Sequence, residues 1–241
     1  MKIRKLQMLS VALVALSFVA AFIAYPYMPA RMASHWGMDG EVDGYMARDA
    51  GTFFVPVLTA AIAALMHVLP SFDPKKGNYI HFQKEYDELV VVLVAFMDYV
   101  YLLSLAFNLG YSFNLLQFMA PAFGVLFLYA GAILAKAKQN WFVGIKTPWT
   151  LSSEKVWDRT HALGSKLFMA AGAVAFLGVL VPRMFVASVV IVVAAAAATF
   201  VYSYAEYQKE MKAKKGKAGL AGKGAKGKQR PQGRGKQQAN R

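Results

Sequence analysis

The sequence predicts an all-α fold: a polytopic membrane bundle of about six transmembrane helices. Three observations carry that reading. Hydrophobic residues fill 57% of the 241 positions and charged residues only 17%, where soluble domains sit near one half and one quarter. Apolar runs long enough for a hydrocarbon core of roughly 30 Å recur along the chain. The charges gather between those runs and in a basic C-terminal segment. Cysteine is absent, which excludes disulfides, cysteine-ligated zinc and thiol nucleophiles.

The first run, Leu6–Tyr25, follows a short basic start. It is long for the apolar part of a signal peptide, and the bulky Tyr25-Pro26-Tyr27 after it predicts an uncleaved first span. Further spans are expected at Thr52–Leu69, Leu89–Leu109, Leu115–Ala135, Leu167–Val181 and Met184–Tyr204. The fifth is short, so its helix borrows Ala162–Lys166, with Lys166 reaching to the interface. Pro182-Arg183 predicts a tight hairpin between the last two spans.

An even number of spans puts both termini on one side, and charge decides which. With the termini inside, the inner segments hold 24 of the 27 Lys and Arg residues, and the outer ones only Arg31, Arg48 and Arg183. That bias predicts a multi-pass protein with both termini cytoplasmic. Three parts follow. Residues 1–70 form a two-span module with an outer loop at 29–50. Residues 71–205 form a four-span region with an inner loop at 136–166. Residues 206–241 are a Lys/Gly-rich tail, and Lys209–Arg241 has too few apolar residues to bury a core, so disorder is expected.

The outer loop is rich in Gly and Asp, and Asp39, Glu41, Asp43 and Asp49 make it acidic. His35, Asp39 and Asp43 stand four apart, but Gly37, Gly40 and Gly44 argue for a folded loop with defined turns over a helix. A surface for an extracellular partner, made by His35, Trp36, Asp39, Asp43 and Tyr45, is the expectation there, without a metal.

The inner stretch from Asn140 to His161 has the densest mixed chemistry of the chain. Gly144 and Pro148 bracket a turn, Trp141, Trp149 and Trp157 supply three amphipathic rings, and Ser152 or Ser153 caps the next helix. Glu154, Asp158 and His161 fall on one helical face. That face suits a divalent metal or a cationic ligand, or else acids paired with Lys155, Arg159 and lipid headgroups. Asp98 stands near the middle of the third span, where an ionisable group is costly and by default functional. It reads either as a neutral acid joining helices or as a proton or ligand site. The tail reads as a topology-fixing segment, as a contact for anionic lipid, or as a nucleic-acid contact without aromatics for stacking. No cofactor motif is present.

The inner stretch resembles the signature of the SdpI family of membrane immunity proteins. The resemblance rests on Asn140, Trp141, Gly144, Ile145, Thr147, Pro148, Trp149, Thr150, Leu151, Trp157 and His161. Lys146 departs from it, standing where the family usually has an arginine, so the bidentate contact of a guanidinium is lost. The outer loop is similar to the uncharacterised N-terminal module often fused to SdpI domains, through Pro29, His35, Trp36, Gly37, Asp39, Gly40, Asp43, Gly44 and Tyr45. The resemblance implies a non-enzymatic protein that resists or senses a secreted peptide toxin, with a cytoplasmic regulator as a second partner. Two other classes stay open from the residues alone: a small proton-coupled transporter using Asp98, and a membrane-embedded enzyme using Glu154, Asp158 and His161.

Overall fold

The computed structural model describes residues 5–37 and 40–226, with side chains through residue 216. Six helices are long and apolar enough to cross a membrane. In chain order they are α1 (Lys5–Ala24), α2 (Arg48–Phe72), α3 (Gln83–Asn108), α4 (Leu115–Lys136), α6 (Glu154–Leu177) and α7 (Pro182–Lys226), with a one-turn helix α5 (Pro148–Ser152) before α6. The protein is a multi-pass helical membrane protein. A two-stranded antiparallel hairpin, β1 (Arg31–Trp36) and β2 (Val42–Ala47), joins α1 to α2.

Apolar side chains such as Phe22, Ile23, Val190 and Val193 are exposed around the bundle, as a lipid-facing surface requires. Inside, small residues let backbones approach. A Cβ on Gly131 of α4 would lie 2.6 Å from Met169, and one on Gly172 of α6 would lie 2.7 Å from the Leu128 nitrogen. The α4–α6 contact is therefore a close backbone crossing, and α7 packs against α6 and also touches α4, Phe185 against Phe123.

Helix α2 contains Pro56 and Pro70. A proline has no N–H for the carbonyl four residues before it, which leaves Thr52 and Met66 without their helical donors. Two α3 tyrosines supply them: Tyr101 donates to Thr52 O at 2.8 Å and Tyr86 donates to Met66 O. These bonds fix the antiparallel register of α2 against α3. On α4, which contains Pro121, Tyr99 donates to Phe118 O at 2.8 Å.

Helix α6 begins at Glu154, with Ser153 accepting from Val156 N as its cap, one of the two serines expected there. Two boundaries differ from the sequence reading. The last hairpin turn lies at Gly178–Val181, and Pro182 opens α7, a position where its missing N–H costs nothing. Helix α7 does not stop where the apolar residues stop but continues to Lys226. Good helix formers and ion pairs of Glu206 with Lys209 and Glu210 with Lys214 extend it. The remaining tail, 227–241, lies outside the described residues.

Candidate functional site

Residues 138–153 fold into a compact loop held between α6 and α7. Asn140, fully buried, organises its start: Oδ1 accepts from Phe142 N at 2.9 Å and Val143 N at 2.6 Å, and Nδ2 donates to Lys138 O and Val143 O. Gly144 turns the chain at φ +125°, and a Cβ there would lie 2.4 Å from His161 Nε2. Only glycine satisfies both the backbone and the space. Thr147 then caps α5 in a reciprocal pair with Thr150, with Pro148 in the first turn.

His161 and Trp157 form the floor. Trp157 is fully buried, stacks on His161 at 3.9 Å between ring centres, and donates from Nε1 to Ala137 O at 2.9 Å. The imidazole accepts from Ile145 N at Nε2 (3.0 Å) and donates from Nδ1 to Trp157 O (2.8 Å). Both nitrogens are engaged, which assigns the neutral Nδ1–H tautomer.

Trp157 is a core residue, and its indole N–H is satisfied by a buried carbonyl. The Glu154–Asp158–His161 face does not assemble: His161 points into the protein, while Glu154 and Asp158 are exposed. No cluster of three metal-ligating side chains exists among the described residues. Arg159 pairs with Glu206 of α7 instead of with an acid on its own helix.

Helix α7 closes the loop from the other side. Thr147 and Ser203 share a hydroxyl hydrogen bond of 3.0 Å, and Trp149 packs its ring on Phe200 and Tyr204. Ser153 donates to Glu210 at 2.5 Å. Trp141 is half exposed, and Lys146 is exposed with its ammonium on Phe142 O at 2.9 Å. Lysine thus serves here as a local cap of the loop.

Sequence reasoning missed the residues that hold this loop from afar. Buried Asp73 accepts from Trp141 N, Lys75 N and the Tyr79 hydroxyl, and Tyr79 also donates to Asn140. Buried Gln139 donates to Thr150 O and Leu151 O and accepts from Lys75. Their partners lie up to 68 residues away, and no local pattern announces them.

At the opposite end, the outer-loop residues form the hairpin. His35 and Asp43 pair across the strands, Trp36 packs edge-on against Phe107 of α3, and Arg31 lies over Tyr45. Asn108 brackets the hairpin, accepting from Ala33 N at 2.7 Å and donating to Ala33 O at 3.0 Å. Asp39 lies outside the described residues. Asp98 is buried within the bundle, far along α3 from the loop residues.

The loop that Asn140, Gly144, Trp157 and His161 build falls within one matched stretch. Residues 136–203 match the SdpI/YfhL protein family. Residues 12–60, which include the hairpin, match DUF1648, a domain of unknown function. The chain is also 24% identical to Immunity protein SdpI of Bacillus subtilis (strain 168) over 168 residues, covering 70% of this chain and 78% of that protein. No solved structure matches. The SdpI-like segment thus runs from the end of α4 through the loop and α6 to Ser203, the α7 residue that bonds Thr147.

Proposed function

We propose that this chain is a non-enzymatic immunity or sensing protein that protects its membrane from a secreted antimicrobial peptide. The hairpin faces outward and both termini lie in the cytoplasm, as the Lys/Arg bias favours. The observation that carries the reading is the SdpI-like loop: its signature residues converge on one buried, hydrogen-bonded structure clamped between α6 and α7. The likeness to an immunity protein supports the same class.

In this reading the hairpin, with exposed His35, Asp43 and Tyr45 on a base fixed by Asn108, meets the peptide together with lipid. The α3–α6 bundle carries the response to the inner loop, and α7 presents it to a cytoplasmic regulator. The basic tail adds contact with anionic lipid or, less favoured without aromatics, nucleic acid.

The test is survival of a sensitive host challenged with membrane-active peptides. The full chain should protect. Trp149→Ala, which removes a half-buried ring between the loop and α7, should abolish protection while insertion stays intact. A chain ending at Lys226 should protect, whereas one ending at Tyr207 loses the Glu210–Ser153 tie and should protect less. No protection by the correctly inserted full chain against any peptide would remove the reading.

A further inference from the structure

Asp98 belongs to the interior stripe of α3, in line with Tyr86, Val90, Val94, Tyr101 and Leu105, all buried. It is 8% exposed, and both carboxylate oxygens are shut off from solvent without a hydrogen-bond partner among the described residues. An anion in that position has neither a counter-charge nor a donor, and charge at mid-span is the form a membrane interior tolerates least.

The facing helices bring buried hydroxyls toward this depth: Ser17 on α1, and Thr52 and Thr59 on α2. Thr59 Oγ1 is also buried, without a partner among the described residues. The Tyr101–Thr52 and Tyr86–Met66 bonds set the register, which places Asp98 about one helical turn inward of Thr52.

Titratable groups on the packed elements stand away from it. Helix α1 has only Lys5, α2 has Arg48 and Asp49 at one end and His67 near the other, and α4 has Tyr129 and Lys136. Strand β1 brings Arg31 and His35, and the 76–81 turn brings Lys76, Tyr79 and His81. On α3 itself, Lys84, Glu85, Asp87 and Glu88 cluster at the start, and Tyr99 and Tyr101 flank Asp98.

Apolar side chains lie on both sides of the site. Toward the hairpin, Ala21, Ala24, Met28, Met32, Tyr101 and Leu105 pack together; the other way, Val94, Val90 and Tyr86 pack with Ala63, and a polar opening begins beyond them. Toward the face carrying the termini, Ser10 Oγ and His67 Nε2 are 2.9 Å apart. His67 lines an open cavity of about 640 Å³ together with Gln7, Lys76, Tyr79 and Gln83. Imidazole is the side chain best suited to pass a proton near neutral pH.

We propose that Asp98 is an intramembrane proton-binding site of the α1–α3 unit, loaded from the face carrying the termini by way of His67 and Ser10. Loading forms one O–H bond on an Asp98 carboxylate oxygen and breaks one O–H bond of a hydronium ion in the cavity, which is left as water. His67 gains a proton at one ring nitrogen and gives one up at the other, so it ends unchanged apart from its tautomer. The site stands on Asp98 and its surroundings and does not depend on the immunity reading.

Infrared difference spectra of the full chain in phosphatidylcholine nanodiscs test it. At neutral pH the wild type should show the carbonyl stretch of a protonated acid, absent in Asp98→Asn and displaced in Asp98→Glu. Deuterium exchange of that band should be about tenfold slower in His67→Phe, which removes the shuttle. The two Asp98 variants keep a polar group of similar shape and separate the band from that of buried Asp87. An Asp98 ionised at neutral pH, with no such band, overturns the site. A band exchanging equally fast in wild type and His67→Phe overturns the route.

Discussion

The Tyr101 hydroxyl donates to the Thr52 carbonyl oxygen at 2.8 Å, and Thr52 is the residue whose helical donor Pro56 removes. Tyr86 stands in the same relation to Met66 and Pro70. Neither proline leaves an unsatisfied carbonyl in the bundle, which a membrane interior would penalise heavily. Two helix breakers and two tyrosines on the neighbouring helix therefore act as matched pairs. They position α3 along α2, and with it Asp98 and the Asn108 bracket under the hairpin.

A double-mutant cycle tests that matching. Tyr101→Phe strands the Thr52 carbonyl and is expected to cost about 1–3 kcal/mol, the range for an unsatisfied buried polar group. Pro56→Ala restores an N–H to the same carbonyl. In that background Tyr101→Phe should cost clearly less, so the two substitutions couple. Reversible unfolding in mixed detergent micelles measures both. Strict additivity would mean that the tyrosine does not answer the proline.

Gly144→Ala should disrupt the inner loop while leaving the spans in place. The φ of +125° alone costs a side-chain-bearing residue about 1–3 kcal/mol, and the new methyl group would overlap His161 Nε2. The bond from Ile145 N to His161 is then lost as well. Limited proteolysis at 138–153 should speed up at unchanged helical circular dichroism. A loop as resistant as the wild type would contradict the packing.

The spans were legible because hydropathy and length are local properties, and the capping of α6 at Ser153 and the folded outer loop were readable for the same reason. The loop's signature also pointed to the right segment. Its anchoring did not: Asp73, Gln139 and Ser203 look like ordinary polar residues until the fold brings them to Trp141, Thr150 and Thr147. The place of Trp157 was open in the sequence, because an indole suits an interface and a core equally well, and only the Ala137 carbonyl decides between them. The extended α7 was hidden because part of what holds it is distant: besides their partners on α7, Glu206 pairs with Arg159 of α6 and Glu210 accepts from Ser153.

Asn108→Ala removes both hydrogen bonds to Ala33 and should loosen the hairpin from α3 without unfolding the bundle. Each such bond is worth about 1 kcal/mol. Amide exchange at Ala33 and its strand neighbours should therefore rise by roughly tenfold or more, while α4 and α6 keep their protection. Exchange that rises evenly over all helices would mean that Asn108 supports the whole fold instead of the hairpin.

Alkaline pH should lower the stability of the fold through Tyr79, which ties the 73–82 segment to the loop. Burial first, and the Asp73 carboxylate beside it next, push the Tyr79 phenol well above its ordinary value. The folded state therefore keeps a proton that the unfolded chain loses near pH ~10. With the folded value raised, the stabilisation is complete below that pH and declines as pH rises above it. Unfolding curves of wild type and Tyr79→Phe should differ by a constant amount below that point, since the variant lacks the bonds to Asp73 and Asn140. Above it the two should converge, because only the wild type has this proton to lose. A difference that stays constant into the alkaline range would show that Tyr79 carries no proton linkage to the loop.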